Sequence, residues 1–342
     1  MDPRERMTVA LEGGTPDRTP LGIYNFFAKD FGEPRWQRLV DRGLVPIIHT
    51  NTCYAVEHGV ENSEEERREG DRHYRIYRKK TPVGTLQKVT LNGWHYEDWI
   101  KTPADYKIRQ WMLEHTEMRP CYEDYERADA QAGRSGFPIV TTSRTPAMSI
   151  NIDWAGTEQF CLDVAMELPE LFDLYEVQKR LFREEIEIVA KGPGRFVKSF
   201  ENLTIGMLGP RRYAELLMPV YRECFPTLTA AGKRMFVHYD GALSVIADQI
   251  AQAPFDGIES LTEPPEGDLT YDRCRALWPN LVFWGNINVG LYHRPAEELA
   301  QGVAEKRDRA GKRGLVFEIS EDLPANWETS VPVVLDTLEQ IG

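Results

Sequence analysis

Eight short apolar segments recur along this chain, and longer amphipathic segments separate most of them. A strand buried on both faces is a continuous apolar run, and a covering helix is an amphipathic run, so this alternation predicts a parallel sheet flanked by helices. Eight such strands, closed by a final helix, predict an α/β fold of the (β/α)8 barrel class. The predicted strands are Pro20–Tyr24, Val45–His49, Phe137–Thr142, Arg195–Phe200, Arg234–His238, Gly257–Leu261, Leu281–Ile287 and Gly314–Ile319.

The segment at about 51–134 departs from this repeat. Tyr74–Arg78 and Gly84–Thr90 alternate in period two around Thr81–Gly84, a pattern that predicts a β-hairpin. The charge-rich run Glu61–Arg72 predicts a solvated segment. We therefore expect a single domain over residues 1–342, in which a β-hairpin and helical insertion at about 51–134 lies above the barrel.

Composition excludes several classes of protein. The 342 residues carry a net charge of −13, which argues against binding to a nucleic-acid backbone. No apolar run approaches the ~20 residues of a membrane span, and Met1–Arg6 lacks the apolar core of a signal peptide. The five cysteines form no CxxC motif, which is typical of a reducing compartment. We expect a cytoplasmic protein with neither nucleic-acid nor membrane partners.

Ionisable side chains follow several predicted strands at the point where each strand ends. Glu201, His238 and Glu318 close three of them. An ionised group at the end of a buried strand is costly unless it is paired or bound to a metal. Imidazole and carboxylate ligands suit Zn²⁺, and an open fourth position would make such a site catalytic. The alternative is that these residues only form hydrogen bonds at the barrel mouth.

A series of motifs occurs in a distinctive order. Thr81–Leu86 has the sequence TPVGTL, Gly232–Gly241 has GKRMFVHYDG, and Leu323–Trp327 has LPANW. Together with Ala10–Gly13 and Asp17–Pro20, they resemble the uroporphyrinogen decarboxylase superfamily, which includes the corrinoid-dependent methyltransferases. The resemblance spans nearly the whole chain. It implies a (β/α)8 barrel whose site lies at the carboxyl ends of the strands.

Two chemistries compete within this superfamily. Its decarboxylases carry an arginine-rich stretch after the first strand, but Tyr24–Phe31 contains no arginine. Decarboxylation of a tetrapyrrole or another acid is therefore the second choice, and a metal-free binding protein is a third. The methyltransferase branch uses zinc as a Lewis acid, and its thiol-methylating members bind zinc through His-x-Cys and a distal Cys. Here those positions hold His238, Asp240 and Glu318, so a thiol acceptor is disfavoured.

The resemblance then implies a zinc enzyme similar to the methyltransferases of O-demethylase systems. It would take a methyl group from a methyl ether, an aryl ether by preference, and pass it to Co(I) of a corrinoid. A corrinoid-binding D-x-H-x-x-G motif would need Asp where Phe236 stands, so the corrinoid is expected on a partner protein. A homodimer is a further expectation. The implied roles are zinc binding for Glu201, His238 and Glu318, proton transfer for Asp240 or Glu259, and substrate binding for Tyr24, Phe26, His49, Asn286 and Asn288.

Overall fold

The computed structural model describes residues 1–28, 30–203, 205–320 and 322–342. Its strands are β1 (Leu21–Tyr24), β2 (Leu44–Thr50), β3 (Cys53–Glu57), β4 (Glu61–Glu69), β5 (Arg72–Thr81), β6 (Gly84–Leu91), β7 (Trp94–Glu97), β8 (Thr116–Pro120), β9 (Phe137–Thr142), β10 (Phe196–Leu203), β11 (Arg234–Tyr239), β12 (Gly257–Leu261), β13 (Val282–Asn286) and β14 (Leu315–Glu318).

Helices follow most of the strands that form the barrel. They are α1 (Pro3–Leu11), α2 (Pro34–Asp41), α3 (Pro103–Glu114), α4 (Tyr122–Ala132), α5 (Pro146–Ser149), α6 (Thr157–Ala165), α7 (Pro169–Lys191), α8 (Ile205–Arg212), α9 (Met218–Ala230), α10 (Ala247–Ile250), α11 (Tyr271–Leu277), α12 (Ala296–Ala310) and α13 (Trp327–Ile341). Ile150–Ala155 and Tyr213–Leu217 are π-helical, and Ser244–Ile246 and Val289–His293 are 3₁₀ helices. None of the helices described is both long and apolar enough to cross a membrane.

Eight parallel strands within the described ranges close into a barrel, in the order β1-β14-β13-β12-β11-β10-β9-β2. The (β/α)8 class predicted from the sequence is therefore confirmed. The predicted strands overlap these eight, and Phe137–Thr142 and Gly257–Leu261 agree to the residue. Apolar side chains from most of the strands fill the barrel interior, among them Phe196, Phe236 and Trp284. A filled interior leaves the ends of the strands as the places for chemistry.

Side-chain alternation decides which residues reach that interior. Along β10, Phe196 belongs to the interior cluster, and Lys198 follows it on the same face, over the rings of Tyr24 and Trp284. Along β11, Phe236 is interior and His238 follows it on the same face. The inward positions near the carboxyl ends of the strands thus carry polar groups above an apolar filling.

Two barrel strands are irregular at these ends. The register of β10 against β11 shifts between Ser199 and Leu203, and that of β12 against β13 shifts between Glu259 and Leu261. Each irregular segment contains a residue with a left-handed backbone, Asn202 at φ 48° and Ser260 at φ 68°. Such bulges re-aim side chains and are common beside active sites.

The chain forms two compact units, where the sequence predicts one domain with an insertion at about 51–134. The barrel unit comprises Met1–Thr52, Cys121–Thr142 and Val189–Gly342. The second unit comprises Cys53–Pro120 and also Ser143–Ile188. Hydrogen bonds between these two segments place the helices of 143–188 in the second unit. Ile100 N–H donates to the Trp154 carbonyl at 3.0 Å, and Tyr106 donates to Asp163 at 2.7 Å.

The second unit contains the hairpin predicted from the sequence. β5 and β6 pair antiparallel with Thr81 opposite Gly84, which confirms that prediction. β4 and β7 extend the hairpin to a four-stranded sheet, and β3 pairs with β8 separately. The charge-rich run at 61–69 is an exposed strand of this sheet.

Candidate active site

His238 is held between two carboxylates at the carboxyl end of β11. Its neighbour across the strand pair is Glu259 of β12, and Nδ1 forms a hydrogen bond with Glu259 Oε2 at 2.5 Å. On the other side of the ring, Nε2 lies 3.1 Å from Oδ1 of Asp240. His238 and Glu259 are both buried. The structure therefore brings together three of the residues predicted for the site.

Lys198 lies on the other side of Glu259 and was not predicted for the site. Its ammonium is 3.3 Å from Glu259 Oε1, and both side chains are fully buried. The same ammonium lies over the rings of Phe200, at 4.2 Å from the centroid, and Tyr24, at 4.5 Å. Aromatic faces and one carboxylate stabilise a buried cation. Glu259 thus contacts Lys198 through Oε1 and His238 through Oε2.

Asp240 is positioned by the two strand irregularities. Ser260 of β12 donates to Asp240 Oδ1 at 3.0 Å, and the side chain of Asn202 also forms a hydrogen bond with Asp240. Asn286 in turn donates from Nδ2 to the Ser260 hydroxyl at 2.8 Å. Burial raises the pKa of Asp240, but the hydrogen bonds and the charge of His238 outweigh it, so the pKa lies below its usual value. Asp240 is therefore a carboxylate at neutral pH, which disfavours the predicted role as proton donor.

Aromatic rings form one wall of the mouth. His49, at the end of β2, lies 5.1 Å from the ring of Tyr24, 6.0 Å from Phe26 and 5.3 Å from Phe200 between ring centroids. Phe200 lies 6.0 Å from His238 in turn. Burial and the positive charge of Lys198 hold the pKa of His49 well below its usual value, so its ring is neutral. The predicted substrate-binding residues Tyr24, Phe26 and His49 thus lie together, next to His238.

Glu318 closes β14 on the inner side of the barrel. Trp284, an interior residue, donates from Nε1 to Glu318 Oε2 at 2.8 Å. Gly22 pairs with Glu318 across β1 and β14, and a Cβ on Gly22 would lie only 2.6 Å from that carboxylate oxygen. Glycine at position 22 therefore leaves the space in which the Glu318 side chain lies.

Glu201 is at an odd-numbered position of β10, whereas the inward-facing Phe196 and Lys198 are at even-numbered positions. Ser199, two residues earlier, donates to Glu201 Oε1 at 3.0 Å. The negative charge of Glu201 also raises the pKa of Tyr213 and Tyr239, in addition to the larger effect of burial. Tyr239 alternates with His238 along β11, so Glu201 is near a residue on the other face of that strand. Tyr239 OH lies 3.0 Å from Tyr213 OH and donates to Tyr221 OH at 2.9 Å, and all three are fully buried.

The two asparagines predicted to orient substrate have different surroundings. Asn286 belongs to the chain of hydrogen bonds that leads to Asp240. Asn288 instead donates to the carbonyl of Glu263 at 3.0 Å and to the Glu266 carboxylate, and it accepts from the buried ammonium of Lys306. Lys306 is also paired with Glu263 at 2.8 Å. Asn288 is therefore part of an ion-pair network of the barrel wall.

A metal site has to be judged against these contacts. In the residues that the structure describes, no three His, Cys, Asp or Glu side chains form a group that could hold a metal ion. Zinc binding by Glu201, His238 and Glu318 together stays a prediction. Nε2 of His238 and Oδ1 of Asp240 form one pair of possible donor atoms, 3.1 Å apart.

Comparison with known proteins bears on the fold. No family model and no curated protein matches the chain. A methyltransferase from Methanosarcina mazei matches with a TM-score of 0.59 and 10% identity, over 99% of each chain. This chain has the fold of that methyltransferase. A D-psicose 3-epimerase from Clostridium cellulolyticum H10 (TM-score 0.44, 9% identity, 94% of this chain and 98% of that chain) and a B12-independent methionine synthase from Shewanella sp. W3-18-1 (TM-score 0.42, 10% identity, 89% and 83%) match more weakly, and no argument rests on them.

Proposed function

We propose that this protein transfers a methyl group from a methylated small molecule, an aryl methyl ether by preference, to Co(I) of a corrinoid on a partner protein. The observation that carries the proposal is the cluster of buried His238 and Glu259 with half-buried Asp240 at the barrel mouth, beside an aromatic wall. The motif resemblance and the fold shared with a methyltransferase support it. The aromatic wall fits an aryl ring, which would stack against Tyr24, Phe26 or Phe200.

The proposed reaction would transfer a methyl group from oxygen to cobalt. The O–CH₃ bond would break with its electron pair left on the ether oxygen, which would take up a proton from water and leave as a phenol, while the methyl group would pass to the electron pair of Co(I) on the partner's corrinoid. The protein has to hold the ring, align the methyl group with the corrinoid and offset the negative charge that develops on oxygen. Aromatic stacking would hold the ring, and the end of the mouth at His238 would receive the oxygen.

Zinc is part of the proposal, with His238 and Asp240 as ligands. Their donor atoms are 3.1 Å apart, similar to the separation of about 3.4 Å between two ligands in a tetrahedral zinc site with bonds of about 2.1 Å. Glu259 forms a hydrogen bond with the other nitrogen of His238. A metal-bound histidine commonly has a carboxylate partner at that nitrogen. The described side chains form no group of three that could hold the ion, so Glu318 and Glu201 stay predicted ligands beside this pair. When bound, zinc would supply Lewis-acid stabilisation of the leaving oxygen.

The remaining residues have positioning roles in this proposal. Lys198 and Glu259 hold the ring of His238 at Nδ1, which leaves Nε2 directed toward Asp240. Ser260 and Asn202 hold Asp240, whose lowered pKa keeps it an anion that can bind a cation. Residues that position a metal ligand in this way commonly contribute about 10- to 100-fold to metal affinity or activity.

A direct assay tests the function. The purified protein is mixed with cob(I)alamin and one methyl donor at a time. The donors are an aryl methyl ether, an aliphatic methyl ether, a methylamine and a betaine. The loss of Co(I) absorbance and the demethylated product are measured. We expect turnover with the aryl ether, and a loss of about 100-fold or more in His238→Ala. His58→Ala, which changes an exposed histidine paired with Glu117 in the second unit, is the matched control and should retain activity.

The same assay discriminates among the alternatives. Turnover of a methylamine or betaine, but not of the ethers, would show that the methyl donor is a nitrogen compound. Release of CO₂ from a porphyrinogen, without methyl transfer, would show that the protein is a decarboxylase. Absence of every activity in protein loaded with zinc and supplied with a corrinoid partner would refute the proposal.

A further inference from the structure

Two buried polar atoms of the aromatic wall have no hydrogen-bond partner among the residues that the structure describes. They are the hydroxyl oxygen of Tyr24 and Nε2 of His49. Their rings are neighbours, with centroids 5.1 Å apart. Buried polar groups without partners cost folding free energy, and they are rare enough in native proteins to require an explanation. A ligand that supplies the missing partners is such an explanation.

The contacts of Asn25 determine which kind of partner His49 needs. Oδ1 of Asn25 accepts the backbone N–H of His49 at 3.3 Å, so this atom is the amide oxygen. The same oxygen lies 3.0 Å from Nδ1 of His49, and an oxygen can only accept, so Nδ1 carries the proton. The ring is neutral, because burial and Lys198 hold its pKa well below the usual value. Nε2 therefore has a lone pair and needs a donor.

The rings around these atoms determine the shape of the ligand. Phe26 lies nearly parallel to His49, at an interplanar angle of 19° and 6.0 Å between centroids, and 5.0 Å from Tyr24. Phe26 as a residue is nevertheless 63% exposed. A planar aromatic ligand that stacked beside Phe26 would lie against the rings of Tyr24 and His49, within reach of their polar atoms. Phe200, 5.3 Å from His49, leads from there to His238.

We propose that the substrate of this site is an aryl methyl ether that also carries a free hydroxyl group on the ring. The hydroxyl donates to Nε2 of His49, and the hydroxyl of Tyr24 donates to an oxygen of the same ligand. Recognition thus requires a phenol and not merely an aromatic ring. This inference rests on the proposed function for the identity of the substrate as a methyl donor.

Equilibrium binding tests the inference without any methyl transfer. Calorimetry compares 2-methoxyphenol with 1,2-dimethoxybenzene, which has a second methoxy group in place of the hydroxyl. We expect the intact protein to bind the phenol about tenfold more tightly, since the dimethyl compound leaves Nε2 without a partner. His49→Phe keeps a stacking ring but removes the acceptor, and it should reduce the preference to less than about twofold.

Further variants keep the result interpretable. His49→Gln restores an acceptor and should recover part of the preference, even if His49→Phe folds poorly. Tyr24→Phe should weaken both ligands by a similar factor. His115→Phe is the matched control, because His115 also stacks on a ring, that of Trp111 at 3.9 Å, but lies in the second unit, and it should bind as the unchanged protein does.

Each outcome decides the inference. Equal affinity for the two ligands, no binding of either, or a preference that survives in His49→Phe would overturn it. A preference that depends on His49, in a protein that shows no methyl transfer, would uphold the phenol site and refute only the proposed reaction.

Discussion

Ser260 donates its hydroxyl hydrogen to Oδ1 of Asp240 at 3.0 Å, from a backbone with φ 68°. This conformation is rare for residues other than glycine, and it is found chiefly where function requires a particular side-chain direction. The bulge in β12 turns Ser260 toward β11, while Asn286 donates to the same hydroxyl at 2.8 Å. Asp240 is thereby fixed opposite Nε2 of His238.

A matched pair of substitutions separates the hydroxyl from the backbone strain. Ser260→Ala and Ser260→Gly both remove the hydrogen bond, so both should reduce methyl transfer or zinc affinity by about tenfold. Glycine tolerates the left-handed backbone, so Ser260→Gly should be more stable than Ser260→Ala by about 1 kcal/mol. Urea unfolding measures the difference. Equal stability of the two variants would show that the backbone at this position is not strained.

Removal of Lys198 should be strongly destabilising. Lys198→Met would leave Glu259 buried without its ammonium partner, at a cost of about 3–5 kcal/mol. The double variant Lys198→Met, Glu259→Gln removes the buried charge and should recover part of that loss. Lys80→Met is the control, since the Lys80–Glu61 pair is exposed and should contribute no more than about 1 kcal/mol. A double variant as unstable as Lys198→Met would contradict the role assigned to the buried charge.

Zinc content distinguishes the proposed ligands from one another. His238→Ala, Asp240→Asn and Glu318→Gln should each lose most of the zinc, because their side chains lie on the inner side of the barrel mouth. Glu201→Gln should retain it, because Glu201 accepts from Ser199 and lies near Tyr239. Elemental analysis of protein purified in buffer with zinc gives the occupancy. Loss of zinc from Glu201→Gln, or zinc-free intact protein, would contradict this assignment.

An acid-sensitive contact ties the first helix to the barrel unit. Arg6 donates from Nε to Asp17 Oδ1 at 2.6 Å and from Nη2 to Oδ2 at 3.0 Å, and these bonds hold the pKa of Asp17 well below its usual value. A lowered carboxyl pKa adds stability above about pH 4, and that stability is lost as pH falls through the folded-state pKa. Asp17→Asn should therefore lower Tm at pH 7, with a difference that shrinks as the pH falls below about 3.

Thermal unfolding from pH 7 to pH 2 measures this difference. Asp308→Asn is the control, because Asp308 is exposed and pairs only with its neighbour Arg307 among the contacts described. The control should follow the unchanged protein at every pH. A constant gap between Asp17→Asn and the unchanged protein over the whole range would show that the ionisation of Asp17 is not its cause.

The sequence predicts the barrel well because strands buried on both faces have to be apolar throughout. The ends of the strands are a different matter. The strand predicted at Arg195–Phe200 extends in fact to Leu203, through a bulge that contains the left-handed Asn202. A hydrogen bond joins Asn202 of the bulge to Asp240, which directly follows β11, and no local pattern in the sequence indicates it.

The candidate site is predictable in part for the same reason. His238, Glu259 and Asp240 lie at strand ends, and the structure brings them together. Lys198 was missed, although period two from Phe196 places it on the inner face and a lysine there is unusual enough to be a signal. The contacts of Asn288 depend on Lys306, a residue of α12, and a sequence alone does not reveal such a partner.

β11 carries His238 and Tyr239 on opposite faces, so one strand supplies both the mouth cluster and the buried tyrosine chain. Deletion or insertion of a single residue within it would exchange the two sets, and neither would survive the exchange. Homologous proteins that share this chemistry can therefore diverge freely in loop length and surface charge, while the spacing from Arg234 to Asp240 has to be inherited unchanged.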